Sequence, residues 1–105
     1  MAKLYFNYSS MNAGKSTSLL QAAYNYEERG MNTLLLIAAL DDRAGKGRIA
    51  SRIGLAADAD IFSSADDVYA HVDAVRKERE IHAVLVDEAQ FLTEEQVWQL
   101  ARVAD

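Results

Sequence analysis

Leu4-Tyr5-Phe6-Asn7-Tyr8-Ser9-Ser10-Met11-Asn12-Ala13-Gly14-Lys15-Ser16-Thr17 is the stretch that decides the fold. Lys3 to Tyr8 is aromatic and apolar and reads as a strand. Ser9 to Ser16 reads as a loop that opens a helix. The helix continues to about Arg29, with Leu19, Ala22, Ala23 and Tyr26 spaced for one buried face and Gly30 as its stop. The loop fits the phosphate-binding pattern G-x-x-x-x-G-K-(S/T) from its second position onward, with Ser9 where the first glycine belongs.

The chemistry explains the residue types. Phosphate oxygens need donors, and the first N–H groups of a helix are unpaired and point outward. The backbone from Ser9 through Ser10, Met11, Asn12 and Ala13 forms the cradle, and Gly14 lets it approach without a Cβ in the way. Lys15 sets a positive charge against the β- and γ-phosphates of ATP. Ser16 supplies a hydroxyl to Mg²⁺; Thr17 is the neighbouring hydroxyl, but the spacing favours Ser16. The plain alternative is a Gly-Lys-Ser helix start with no ligand. Ser9 counts slightly towards it, because glycine is the easier residue if the loop needs positive φ there.

Further along, Thr33 to Ala39 is too apolar for a half-exposed strand and reads as one covered on both faces. Asp41 to Gly54 carries charges together with Gly45 and Gly47 and reads as a loop, mobile without a ligand. Ala59 to Phe62 is a short strand candidate, and Ser63 or Ser64 is placed to cap a helix with Val68, Val72 and Val75 on one side. His82 to Val86 is a second buried strand. Thr93 with Gln96 three residues on is a capping box opening a last helix to about Val103. Trp98 on that helix reads either as core or as facing another part of the protein. The alternation predicts an α/β fold, a P-loop NTPase-like parallel sheet flanked by helices. Strand order is not legible. The sequence stops after a helical pattern with no following strand, so residues 1–105 are expected to form one nucleotide-binding domain, incomplete at its C-terminal end.

The second buried strand ends in Asp87-Glu88. An aspartate at such a strand end orders Mg²⁺ directly or through water. Glu88 points elsewhere and is placed to take a proton from an attacking hydroxyl or water. Two acids exposed at a strand end are the ordinary alternative. Asp41 and Arg43 follow the first buried strand, at the edge where ligands of open α/β sheets bind. Arg43 has the planar fork that matches phosphate, and Asp41 suits a Mg²⁺-bound water. From the residues alone a solvated charged loop is the better reading there. His71 and His82 lack partners at metal-ligand spacing and read as structural.

Composition narrows the classes. The net charge of −5 shows no basic stripe, which argues against nucleic acid and not against a single nucleotide. With no cysteine there is neither a disulfide framework nor a thiolate zinc site in these residues. No signal peptide is legible, and the longest apolar run, Leu34 to Leu40, falls far short of the roughly 20 residues a membrane helix needs. A cytoplasmic protein with no membrane association is expected.

At these residues the sequence resembles the P-loop thymidine kinases of the zinc-domain type, and within them the bacterial branch. The resemblance is carried by Tyr5-Phe6, Ser10 to Ser16, Tyr24 to Met31, Asp41-Asp42-Arg43, Ser51 to Leu55 and Leu85-Val86-Asp87-Glu88-Ala89-Gln90-Phe91-Leu92. It implies ATP-dependent phosphorylation of the thymidine 5′-hydroxyl to dTMP, for nucleotide salvage and DNA precursor synthesis. It implies Glu88 as the base, Asp41 and Arg43 near metal and phosphate, and Phe91 against the nucleoside base. It also implies a homotetramer, inhibition by the triphosphate end product, and zinc held only in a C-terminal lasso domain absent from this sequence. These residues alone are then expected to bind nucleotide without turning over thymidine. The competing readings are a helicase or motor-type ATPase, for which Asp87-Glu88-Ala89-Gln90 is a familiar motif, and a non-catalytic nucleotide-binding module.

Overall fold

The computed structural model describes residues 3–8, 14–38, 45–50 and 56–104. The described elements are strands β1 (Lys3–Phe6), β2 (Thr33–Ala38), β3 (Gly45–Ala50), β4 (Ala56–Phe62) and β5 (Ala83–Asp87) and helices α1 (Gly14–Glu28), between β1 and β2, α2 (Val68–Glu78), between β4 and β5, and α3 (Glu94–Ala104), after β5. The strands form one sheet in the order β1-β5-β2-β4-β3. The first four are parallel, and β3 pairs antiparallel with β4 at the edge.

Strand alternation sends successive side chains to opposite faces. Leu34, Leu36, Ala38, Val84 and Val86 pack with Val68 and Val72 of α2 and Leu100 and Val103 of α3. Leu35, Ala83, Leu85 and Ala59 pack with Leu19, Leu20 and Ala23 of α1 on the other face. All five β5 residues are therefore buried, as the unbroken apolar run requires. Helix α1 ends where Gly30 takes φ 75°, with Met31 N–H donating to Tyr26 O (2.9 Å) and Gly30 N–H to Glu27 O (3.0 Å), a left-handed stop that glycine adopts without strain.

Two expectations need correction. Gly45–Ala50, inside the predicted loop, is strand β3, while Asp41 to Ala44 and Ser51 to Leu55 lie outside the described residues. Glycines and charges depress strand propensity, but an edge strand draws its pairing from its neighbour. Gly47 has a packing reason: a Cβ there would sit 2.5 Å from Ile61 Cδ1. The cap of α2 is Asp67, which accepts from Ala70 N–H at 3.1 Å, in place of Ser63 or Ser64. Ser63 instead begins a turn closed by Asp66, whose Oδ2 accepts from Ser63 N–H at 2.8 Å. Thr93 and Gln96 form the expected capping box, with Gln96 N–H donating to Thr93 Oγ1 (3.0 Å) and Thr93 N–H to Gln96 Oε1 (3.1 Å). Trp98 is two-thirds exposed, so it is not core.

Candidate active site

Strand β5 lies between β1 and β2, and the chain reaches it last. Its C-terminal end therefore falls beside the strand that leads into Ser9. The register sets Phe6 against Val86, one residue before Asp87. Beyond that pair Asn7 continues the contact between the two segments. Its N–H donates to Val86 O (2.8 Å), and its carbonyl accepts from Ala89 N–H (3.0 Å). Its side-chain Nδ2 donates to Asp87 Oδ1 at 2.7 Å.

Asp87 is only 6% exposed. A carboxylate this deep needs donors. Oδ1 takes two, Asn7 Nδ2 and the N–H of Glu88 at 3.0 Å. Glu88 has φ 57° and ψ 40°, the one non-glycine residue with positive φ among those described. Left-handed backbone costs a residue with a Cβ roughly 1–2 kcal/mol, and such strain concentrates at functional sites. The conformation turns the half-buried Glu88 side chain out of the strand direction, and Gln90 Nε2 donates to its Oε2 at 2.7 Å. A 3₁₀ turn, Ala89–Phe91, follows, and Phe91 packs part-buried against the core on the α2 and α3 side.

The sequence-expected residues divide as follows. Asp87, Glu88 and Phe91 come together at the end of β5. Gly14, Lys15, Ser16 and Thr17 form the first turn of α1. Ser9, Ser10, Met11, Asn12, Ala13, Asp41 and Arg43 lie outside the described residues. The two histidines stand apart from this corner. His71 Nε2 meets Asp60 Oδ2 at 2.8 Å, and His82 Nδ1 accepts from Asn32 N–H at 3.0 Å. Among the described residues no three His, Cys, Asp or Glu side chains converge as a metal cage. Away from this corner, the pKa of the Tyr26 hydroxyl is pushed up, first by its hydrogen bond with Tyr5 (2.9 Å) and then by burial.

The sequence model of the family described as thymidine kinase matches residues 2–105. The chain belongs to the thymidine kinase family. It is 66% identical over 105 residues to a thymidine kinase of Ruegeria pomeroyi, covering all of this chain and 53% of the relative. To those of Jannaschia sp. and Agrobacterium fabrum it is 65% and 62% identical, again over the whole chain and 54% of each relative. The chain thus spans about half the length of the curated relatives it matches. No solved structure matches it.

Two residues of this thymidine kinase family chain escaped the sequence reading, Asn7 and Gln90. Both act across breaks in regular structure. Gln90 sits two positions after Glu88 in a stretch already singled out, so a search for amide donors flanking the acids would have found it. Asn7 becomes visible only once β1 and β5 are known to be neighbours. Among the described residues no helix is long and apolar enough to cross a membrane.

Proposed function

We propose that the chain is the nucleotide-binding part of a thymidine kinase, transferring the γ-phosphoryl group of ATP to the 5′-hydroxyl of thymidine to give dTMP and ADP. The observation that carries the reading is the corner at the end of β5. It combines a buried, doubly bonded Asp87 with a half-buried Glu88 on left-handed backbone, beside the strand that leads to the Gly14-Lys15-Ser16 helix start. Family membership favours a kinase over a motor-type ATPase.

In this reading the backbone of Ser9 to Ala13 and the first turn of α1, Gly14 to Thr17, cradle the phosphates, with Lys15 and Arg43 neutralising their charge. Mg²⁺ characteristically takes one or two carboxylates together with substrate phosphates and water. Asp87, with Ser16 and Asp41, fits that donor set. When bound, Mg²⁺ offsets the charge on the phosphate oxygens. Glu88 accepts the proton of the 5′-hydroxyl as that oxygen bonds to the γ-phosphorus, and the bond to the bridging oxygen breaks to release ADP. Phe91 lies against the nucleoside base. Most of the rate gain comes from positioning and charge, with proton removal adding to it. A cytoplasmic homotetramer belongs to the same proposal.

Mg-ATP should raise the melting temperature of the protein, as any ligand of the native state does. Lys15→Ala should remove that shift. A shift that persists in Lys15→Ala would mean that the phosphates bind elsewhere. In the full-length kinase, thymidine should be required for conversion of ATP to ADP.

A further inference from the structure

The reading above leaves Asn7 without a role, although it makes three bonds in this corner. One residue engages three partners on the neighbouring segment: Val86 O, Ala89 N–H and the carboxylate of Asp87. Two of these bonds are main chain and would survive any side-chain replacement. The third is specific to the side chain and short, at 2.7 Å.

We propose that Asn7 is a positioning residue that fixes the rotation of the Asp87 carboxylate for its work on Mg²⁺. The inference rests on the kinase reading of Asp87. Its physical basis is the convergence of two donors on one oxygen. Asn7 Nδ2 and Glu88 N–H both reach Oδ1, at 2.7 and 3.0 Å, and one of them is backbone. Two donors from different segments restrict the rotation of the carboxylate more tightly than one does. Neither donor is a cation, so these bonds orient the group without neutralising it. Lysine or arginine at position 7 would cancel the charge, and leucine would fill the space while donating nothing.

Mg²⁺ tolerates little departure from octahedral geometry. A carboxylate that meets it, or its bound water, must therefore present an oxygen in a fixed direction. Residues that hold metal-binding carboxylates in place typically change metal affinity by about 10- to 100-fold when removed. The main-chain bonds of Asn7 survive a side-chain substitution, and the side-chain bond is the part that a substitution isolates.

The test is calorimetric titration of the protein with ATP, once in excess Mg²⁺ and once in EDTA, for wild type and Asn7→Leu. Cooperative thermal unfolding of each verifies that it is folded. In Asn7→Leu the gain in ATP affinity that Mg²⁺ confers should fall by roughly 10-fold or more, while the affinity in EDTA stays within about twofold, the phosphate loop being untouched. If Asn7→Leu fails to fold, Asn7→Ser keeps the corner polar, shortens the donor and should give the same split. Equal losses with and without Mg²⁺ would make Asn7 a purely structural residue, and no loss would make its bond idle; either overturns the proposal. A wild-type protein whose ATP binding ignores Mg²⁺ would instead remove the role assigned to Asp87, and the inference with it.

Discussion

Two polar corners lie beyond the sheet, six residues apart along the chain, and they spend similar groups differently. The first is Asn7, Asp87, Glu88 and Gln90. The second is built on Gln96, whose Nε2 donates to Ser63 O (2.8 Å) and Asp66 O (3.1 Å) while its Oε1 accepts from Thr93 N–H. Three residues along the same helix, Gln99 Oε1 accepts from Val68 N–H at 2.9 Å, so two glutamines of α3 secure the start of α2. Gln96 is 1% exposed and its bonds run to backbone of the fold itself. Its backbone is ordinary helix. The first corner instead keeps Glu88 half-buried on strained backbone and directs amide donors onto carboxylates. A polar group bonded wholly to the fold's backbone stabilises the fold. One held in place by other side chains, at a cost in backbone strain, is available for chemistry.

The largest expected effect follows from that difference. If Glu88 is the base proposed above, Glu88→Gln in a full-length kinase should lower the rate of phosphoryl transfer by about 10²- to 10⁴-fold, the usual worth of a positioned base. Mg-ATP binding and melting temperature should stay near wild type, since the amide has the same shape. A steady-state assay with parallel calorimetry checks this. Loss of ATP affinity in place of rate would make Glu88 a metal or structural group.

Gln96→Leu is the counterpart in the second corner. It keeps the volume and strips three backbone groups of a partner, although Ser63 O retains the N–H of Asp66 at 3.1 Å. Buried groups left unpaired cost about 1–3 kcal/mol each, so a loss of roughly 3 kcal/mol is expected. For a domain of this size that lowers the melting temperature by roughly 12–24 °C. Nucleotide affinity of the molecules that remain folded should not change. A matching fall in affinity would show that the short link through Ala89–Phe91 couples the corners, and the contrast between them would fail.

Thr93→Ala separates the local half of the second corner from its long-range half. Removing an N-cap hydroxyl costs about 1 kcal/mol, and chemical denaturation resolves that from the larger Gln96→Leu loss. The distinction also marks where the sequence stops being informative. The Thr93–Gln96 box was legible because both partners lie within one turn. The bonds from Gln96 to Ser63 and Asp66 span about thirty residues and leave no local signature. The buried strand ending in Asp87-Glu88 was legible from its apolar run. The Asn7–Asp87 bond spans 80 residues and depends on strand order, which periodicity does not encode. Strand β3 was missed for a related reason, since its pairing comes from β4 and Gly47 serves contact with Ile61.

The smallest effect has an unusual sign. Glu88 pays for a left-handed backbone that glycine adopts freely, so Glu88→Gly relieves roughly 1–2 kcal/mol of strain. Against that, glycine loses more freedom on folding, by about 0.5–1 kcal/mol, and the bond from Gln90 is lost. That bond lies on an exposed side chain, where water replaces it at little cost. The main-chain bonds of the corner, Glu88 N–H to Asp87 and Ala89 N–H to Asn7, need no side chain at position 88. The net expectation is a gain of up to about 1 kcal/mol in unfolding free energy, together with loss of phosphoryl transfer. A variant that is more stable and inactive would mark Glu88 as a residue kept against the interest of the fold. A loss of stability would mean that Gln90 and Glu88 hold the corner together as Gln96 holds the other, and that strain at Glu88 is incidental to its chemistry.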